Sequence, residues 1–300
     1  MSEQFILSCE STVDLPYAYV NGRGLPVLFY SYLAEEKLHV DDMLRDPAAL
    51  PHFYAMLEGG ALPSTSQLTT YDYEAFFSPL LEQGNLLHIA FGTGMTGSYY
   101  HAEEAAEKLR KKYPEHTIRV IDSLCSSSGY GLLVDYAADL RDAGRTLEET
   151  AQWVEANRKL VHHQFFSTEL KFYRRSGRMS GAAAAVATIL NICPIMRLDD
   201  GGRIIAYDKV RGKRKAMDRT VQTVLRHIQN GSDYDGKCYI SHSNCLPEAE
   251  QLRSLLQQAL PRVPEIPIWD IGTIIASHCG PGTVAVFFLG DERVPDGKAV

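Results

Sequence analysis

No C-x-x-C pair, no run of apolar residues near the ~18 that span a bilayer, and no surplus of positive charge occur in this 300-residue chain. Each absence excludes something. The six cysteines (Cys9, Cys125, Cys193, Cys238, Cys245, Cys279) are scattered. That argues against a disulfide framework and predicts reduced thiols of a cytoplasmic protein. With 30 Lys and Arg against 37 Asp and Glu the net charge is -7. An acidic surface is unsuited to the long-range attraction that nucleic acid demands. The opening MSEQFILSCE carries an acid where a secretory leader needs basic residues, so no signal peptide is predicted. There is no P-loop lysine and no G-x-S-x-G elbow. His242 and Cys245 are three apart but lack two further ligands, so no metal is predicted.

What is present is the composition of a packed α/β protein, 45% hydrophobic and 22% charged. Apolar runs at 5–11, 25–32, 86–91 and 118–123 read as strands. Helical periodicity fills 71–83, the stretch to about 113, 129–143 and 146–161. Alternating strands and helices predict an α/β N-terminal domain with a mainly parallel sheet, residues 1–161. Shorter strands (FFSTEL, GRIIAYDKV, KCYISHS, IPIWDIG, TVAVFFLG) with helices near 214–229 and 247–259 predict a C-terminal α+β domain, 162–300. The adjacent His162 and His163 would mark the domain edge.

The most telling segment is LLHIAFGTGMTGSYYHAEEAA, 86–106. A buried strand turns through Gly92, Gly94 and Gly97 into a helix, with Thr93, Thr96 and Ser98 supplying hydroxyls. Unpaired N–H groups at a helix start, together with its dipole, bind anions. Gly92-x-Gly94-x-x-Gly97 fits the dinucleotide fingerprint, with Asp122 at the end of the next strand as the ribose partner, which would make an NAD(P)-dependent oxidoreductase. A phosphate- or sugar-ester enzyme using the hydroxyls, or a purely structural turn, fits the same residues.

Pro63-Ser-Thr-Ser-Gln67 precedes a helix that Thr69 or Thr70 would cap. Ser277-His-Cys-Gly-Pro-Gly282 reads as a rigid turn presenting His278. Two basic clusters, 173–178 and 209–215, suit phosphates, an acidic partner or plain solvent. The alanine-rich stretch 181–196 predicts a closely packed helix, in the core or beside a narrow tunnel.

Taken in order, these segments resemble the DegV family of bacterial fatty-acid-binding proteins. The resemblance runs through SCESTVDLP (8–16), TSQLT (65–69), IAFGTGMTGSY (89–99), VIDSLCSSSGYGLLV (120–134), LKFYRRSGRMS (170–180), DKVRGKRKA (208–216) and SHCGPG (277–282). Cys9-Glu10 replaces an Asp-Ser. Gly92, Thr93 and Thr96 stand where the family usually has serines, and Leu68 replaces a proline. The resemblance implies a long-chain fatty acid in a buried tunnel at the domain junction, with no cofactor. Its carboxylate would be held by Thr65, Thr93 and His278, with Ser66, Gly94 and Thr96 as a secondary head-group loop. It further implies a non-enzymatic, substrate-carrying subunit that presents the acid to a separate kinase subunit for acyl-phosphate formation, a step in phospholipid metabolism. Arg178 and Arg211 would support the reaction or dock the kinase. Transient membrane contact would exchange the lipid.

Overall fold

A computed structural model of the chain describes residues 5–178 and 191–295. Four strands, β1 (Phe5–Glu10), β2 (Val27–Leu28), β6 (Asn85–Ala90) and β7 (Ile118–Asp122), form an all-parallel sheet of order β2-β1-β6-β7. Every residue of β6 is buried, as expected of a parallel strand covered on both faces. Helices α3 (Thr70–Leu81) and α4 (Ser98–Lys112) pack on this sheet, as do α5 (Ser127–Asp142) and α6 (Leu147–Asn157). Capping boxes start two of them, Thr69 with Asp72 and Thr146 with Glu149.

The predicted strand 25–32 is two elements. After β2 the chain leaves the sheet, and β3 (Ser31–Ala34) joins a separate antiparallel sheet with β4 (Lys37–Val40) and β5 (Ser64–Thr65). The β3–β4 turn has positive φ at both Glu35 and Glu36, the backbone twist that suits a tight hairpin. Helix α1 (Tyr17–Gly22) follows β1, and α2 (Ala49–Glu58) fills the long connection to β5.

The second half builds a six-stranded mixed sheet from β8 (Val161–Ser167), β9 (Ile192–Leu198), β10 (Ile204–Arg211), β11 (Cys238–His242), β12 (Ile268–Asp270) and β13 (Thr283–Leu289). Its order is β10-β9-β8-β13-β11-β12. His162 and His163 lie inside β8 and are buried, rather than on an exposed edge. The helix predicted over 181–196 is corrected at its end: Ile192–Leu198 pairs between β8 and β10 as a strand, where a mostly apolar segment with two isoleucines fits a buried central position. The rest of that predicted helix lies largely outside the described residues. Among the described residues, helices α7 (Lys171–Ser176), α8 (Lys213–His227), α9 (Leu246–Ala259) and α10 (Thr273–Cys279) belong to this half.

Helix α5 is the hinge of the packing. It touches β1 on one side and β8, β11 and β13 on the other. Two glycines make that possible. A Cβ on Gly129 would lie 2.3 Å from His163 Nε2, and one on Gly131 would lie 2.5 Å from the Val13 carbonyl. Any larger residue would push the two sheets apart.

Candidate functional site

Between the two sheets lies a cavity with about 900 Å³ of space between its atoms, part of it continuous with solvent. Most of its wall is apolar: Phe91, Phe165, Leu198, Ile204, Ile271, Ile274, Ile275, Ala285 and Phe287 among others. Ser126, Ser127, His163 and Thr283 line the space from the start of α5, β8 and β13, and the other polar groups gather where β5, the 92–97 loop, α7 and α10 meet. There the lining residues are Thr65, Ser66, Gln67, Thr96, Ser176, Arg178 and His278.

Local structure sets these groups. Thr65 is held by β5 pairing with Tyr32 of β3. His278 is in the last turn of α10, not in an irregular turn as the Gly-Pro-Gly sequence predicted. The turn starts two residues later, where Gly280 has φ 64 and a Cβ would strike the Phe172 ring at 2.2 Å. Thr65 Oγ1 and His278 Nε2 are 2.7 Å apart. Burial, then the nearby cations of Arg178 and Arg175, lower the His278 imidazole to about 4, so the ring is neutral at physiological pH. Beside it, burial pushes the Cys279 thiol up to about 12, which makes that sulfur a wall atom rather than a nucleophile.

Thr93 is placed elsewhere. Its hydroxyl donates to Asp122 Oδ2 at 2.5 Å and its N–H to Asp122 Oδ1 at 3.0 Å. It lines a neighbouring groove with Gly94, Gly97, Arg178, Asp199 and Arg203, not the cavity. Met95 and Thr96 border both spaces. Thus Thr65, Ser66, Thr96, Arg178 and His278 come together, while Thr93 and Gly94 form the adjoining rim. Arg211, at the end of β10, is exposed and lines neither.

The same geometry tells against a dinucleotide. Asp122 is committed to Thr93, and a Cβ on Gly94 would lie 2.2 Å from the carbonyl oxygen of Gly202. The glycine-rich loop closes on the chain's own backbone where a pyrophosphate would need access.

Sequence reasoning passed over Glu10, which is completely buried. Its carboxylate accepts from Tyr73, from Tyr30 at 3.3 Å and from the Phe91 N–H at 3.0 Å, with His88 Nε2 also 3.3 Å away. Tyr30 and Phe91 both line the cavity, so this network fixes one wall. The signal was an acid at the end of a buried strand, where only hydrogen bonding makes a charge tolerable. Among the described residues, one group has the spacing of metal ligands, His162, His227 and Asp291. None of the three lines the cavity. Their 3.0 Å separations are those of histidine–carboxylate hydrogen bonds.

Fold and cavity together define an α/β protein with a mostly apolar space between its two larger sheets. The chain belongs to the DegV family: the family model described as "Uncharacterised protein, DegV family" matches residues 7–291. A DegV domain-containing protein of Clostridium perfringens is 33% identical over 295 residues, covering 98% of this chain and 100% of that one. One from Streptococcus pyogenes is 27% identical over 289 residues, covering 96% and 99%. Among solved structures, a DegV family protein of Thermus thermophilus, named for its fatty acid binding, superposes with a TM-score of 0.84 at 26% identity, covering 96% of this chain and 99% of its own. A stearic acid-binding protein of Eubacterium ventriosum has the same fold, with a TM-score of 0.84 at 20% identity over 95% of this chain and 98% of its own. No helix among the described residues is long and apolar enough to cross a membrane.

Proposed function

We propose that this chain binds one long-chain fatty acid, the tail in the apolar cavity and the carboxylate against Thr65 and His278. The observation that carries the reading is the cavity itself: a mostly apolar wall with a 2.7 Å Thr–His pair in its lining. The fatty acid binding for which the Thermus thermophilus relative is named supports it. About 14 buried methylenes contribute roughly 11 kcal/mol gross at ~0.8 each, and association entropy takes back several. Tail burial therefore supplies affinity. A buried carboxylate is tolerable only when hydrogen-bonded, so the mouth supplies orientation. Thr93 acts through Asp122 and the loop rather than at the carboxylate.

The proposal extends to a non-enzymatic subunit that presents the acid to a separate kinase for acyl-phosphate formation. Its support is the family resemblance together with Arg178 at the mouth. Arg211 would serve docking alone. The division into 1–161 and 162–300, with lipid at the junction, belongs to the same proposal, as do a cytoplasmic location and membrane contact during lipid exchange.

The test is organic extraction of the purified protein, with mass spectrometry of the extract and native mass spectrometry of the intact chain. One fatty acid per chain is expected. A chain that arrives empty and refuses added oleate would overturn the proposal.

A further inference from the structure

Arg175 lies on α7, outside the set of residues lining the cavity. Its Nη2 donates to the carbonyl of Pro63 at 2.7 Å and to the carbonyl of Ser277 at 3.4 Å. Pro63 directly precedes β5, which carries Thr65, and Ser277 directly precedes His278. One guanidinium therefore spans the two chain segments whose side chains meet at the mouth, although 213 residues separate Thr65 from His278 in sequence. Among the described residues no backbone hydrogen bond joins β5 to α10, so the Thr65–His278 contact depends on what holds these two segments in register. Arg175 is exposed, and no carboxylate lies within ion-pair distance among the described residues. Its charge acts on the His278 ring together with that of Arg178.

We propose that Arg175 is the positioning residue of the head-group site: it straps the Pro63–Thr65 and Ser277–His278 segments together and leaves its positive charge beside the carboxylate's seat. The geometry suits arginine specifically. Both bonds leave Nη2, which stands one bond farther from the backbone than a lysine Nζ and holds its two N–H groups in a fixed plane, whereas a lysine supplies a shorter, freely rotating point charge. This inference rests on the fatty acid reading for its binding arm only. The strap and its charge are measurable in lipid-free protein.

The experiment compares Arg175→Lys, Arg175→Gln and the control Lys171→Gln, an exposed change on the same helix. Each is checked for folding by circular dichroism and thermal melting. Two quantities are then read: the His278 titration by imidazole NMR in delipidated protein, and the Kd for oleate at two salt concentrations. Arg175→Gln should raise the midpoint of His278, since a neighbouring cation is gone, and weaken oleate binding by roughly 10-fold with a smaller salt dependence. Arg175→Lys should keep the low His278 midpoint and the salt dependence but bind oleate several-fold more weakly, because the two-carbonyl strap is lost. The control should leave both unchanged. An unaltered His278 midpoint in well-folded Arg175→Gln would overturn the proposal regardless of lipid binding. A shifted midpoint with no oleate binding by any form of the protein, wild type included, would instead count against the fatty acid reading and leave the strap standing. If Arg175→Gln fails to fold, Arg175→Lys with unchanged oleate affinity is the overturning result.

Discussion

Acid should destabilise the lipid-free protein through His278, by an amount that follows from its surroundings. The folded ring titrates near 4 because burial, Arg178 and Arg175 all oppose its protonation, against 6.5 for an unhindered histidine. As pH falls below about 6.5 the unfolded chain takes up a proton that the folded chain refuses, so stability is lost between there and about 4 and is level below. The difference of 2.5 units at 1.36 kcal/mol each is about 3.4 kcal/mol. The ring is only partly buried, and solvent trims this to about 2 kcal/mol.

Asp41 works in the opposite direction. Burial raises its carboxyl from 3.8 to about 6, so the folded state holds a proton that the unfolded state gives up, and stability is lost as pH rises through that window. The wild-type curve sums both and is uninformative alone. The assay is therefore a difference: urea unfolding of delipidated wild type and His278→Gln, followed by tryptophan fluorescence at several values from about pH 7.5 to 4.5. Glutamine keeps a hydrogen-bonding group toward Thr65 and removes the titration. The variant should gain about 2 kcal/mol on wild type across that range. A difference independent of pH would refute the reasoning, because it would mean the ring titrates alike in both states.

Other changes separate the parts of the site. Thr65→Val should keep the fold and weaken fatty acid binding by about 1.5–3 kcal/mol, the worth of a hydrogen bond to a charged group, as measured by fluorescent fatty acid displacement; unchanged affinity would remove Thr65 from the head-group seat. Thr93→Val should cost about 1–3 kcal/mol of stability by leaving Asp122 with one donor fewer, while the oleate Kd moves far less than in Thr65→Val; the reverse ranking in melting and binding assays would return Thr93 to the carboxylate. Gly94→Ala should destabilise the chain by about 1–3 kcal/mol, since its Cβ would overlap the Gly202 carbonyl; a wild-type melting temperature would contradict that close approach. Arg178→Ala and Arg211→Ala should both retain lipid on purification and reduce acyl-phosphate production by a cognate kinase, read with labelled ATP; normal turnover in Arg211→Ala would leave its cluster as a solvated face.

The parallel sheet was readable because its strands are short apolar runs with nothing else to be. Leu86 to Ala90 is buried on both faces, and its short length and the glycines that follow, rather than a period, mark it as a strand. The hairpin sheet was not readable. Residues 31–40 carry their register in two positive-φ glutamates, which no side-chain rule singles out. β5 is two residues long, below the length at which alternation exists. Yet β5 holds Thr65, so the element hardest to read positions the partner of His278. Ile192–Leu198 shows the opposite failure. Its neighbours to the N-terminal side are alanines with strong helical propensity, and the preference was carried past the point where strand pairing prevails.

The mouth of the cavity shows why composition reveals chemistry sooner than geometry. Thr93 and Thr65 look alike in sequence: each is a hydroxyl in a loop or short strand beside a helix start. What distinguishes them is Asp122, whose carboxylate captures Thr93. The same acid had counted in favour of a dinucleotide because it ends the next strand. One side chain thus holds the Thr93 hydroxyl away from the cavity and is itself withheld from a ribose. Both consequences follow from register, since Asp122 pairs with Ala90, three residues before Thr93. Parallel strands bring successive carboxyl ends side by side, so an acid ending one strand meets the loop leaving the next. That single rule places Asp122 against Thr93 and leaves Thr96, beyond the turn, to border the cavity.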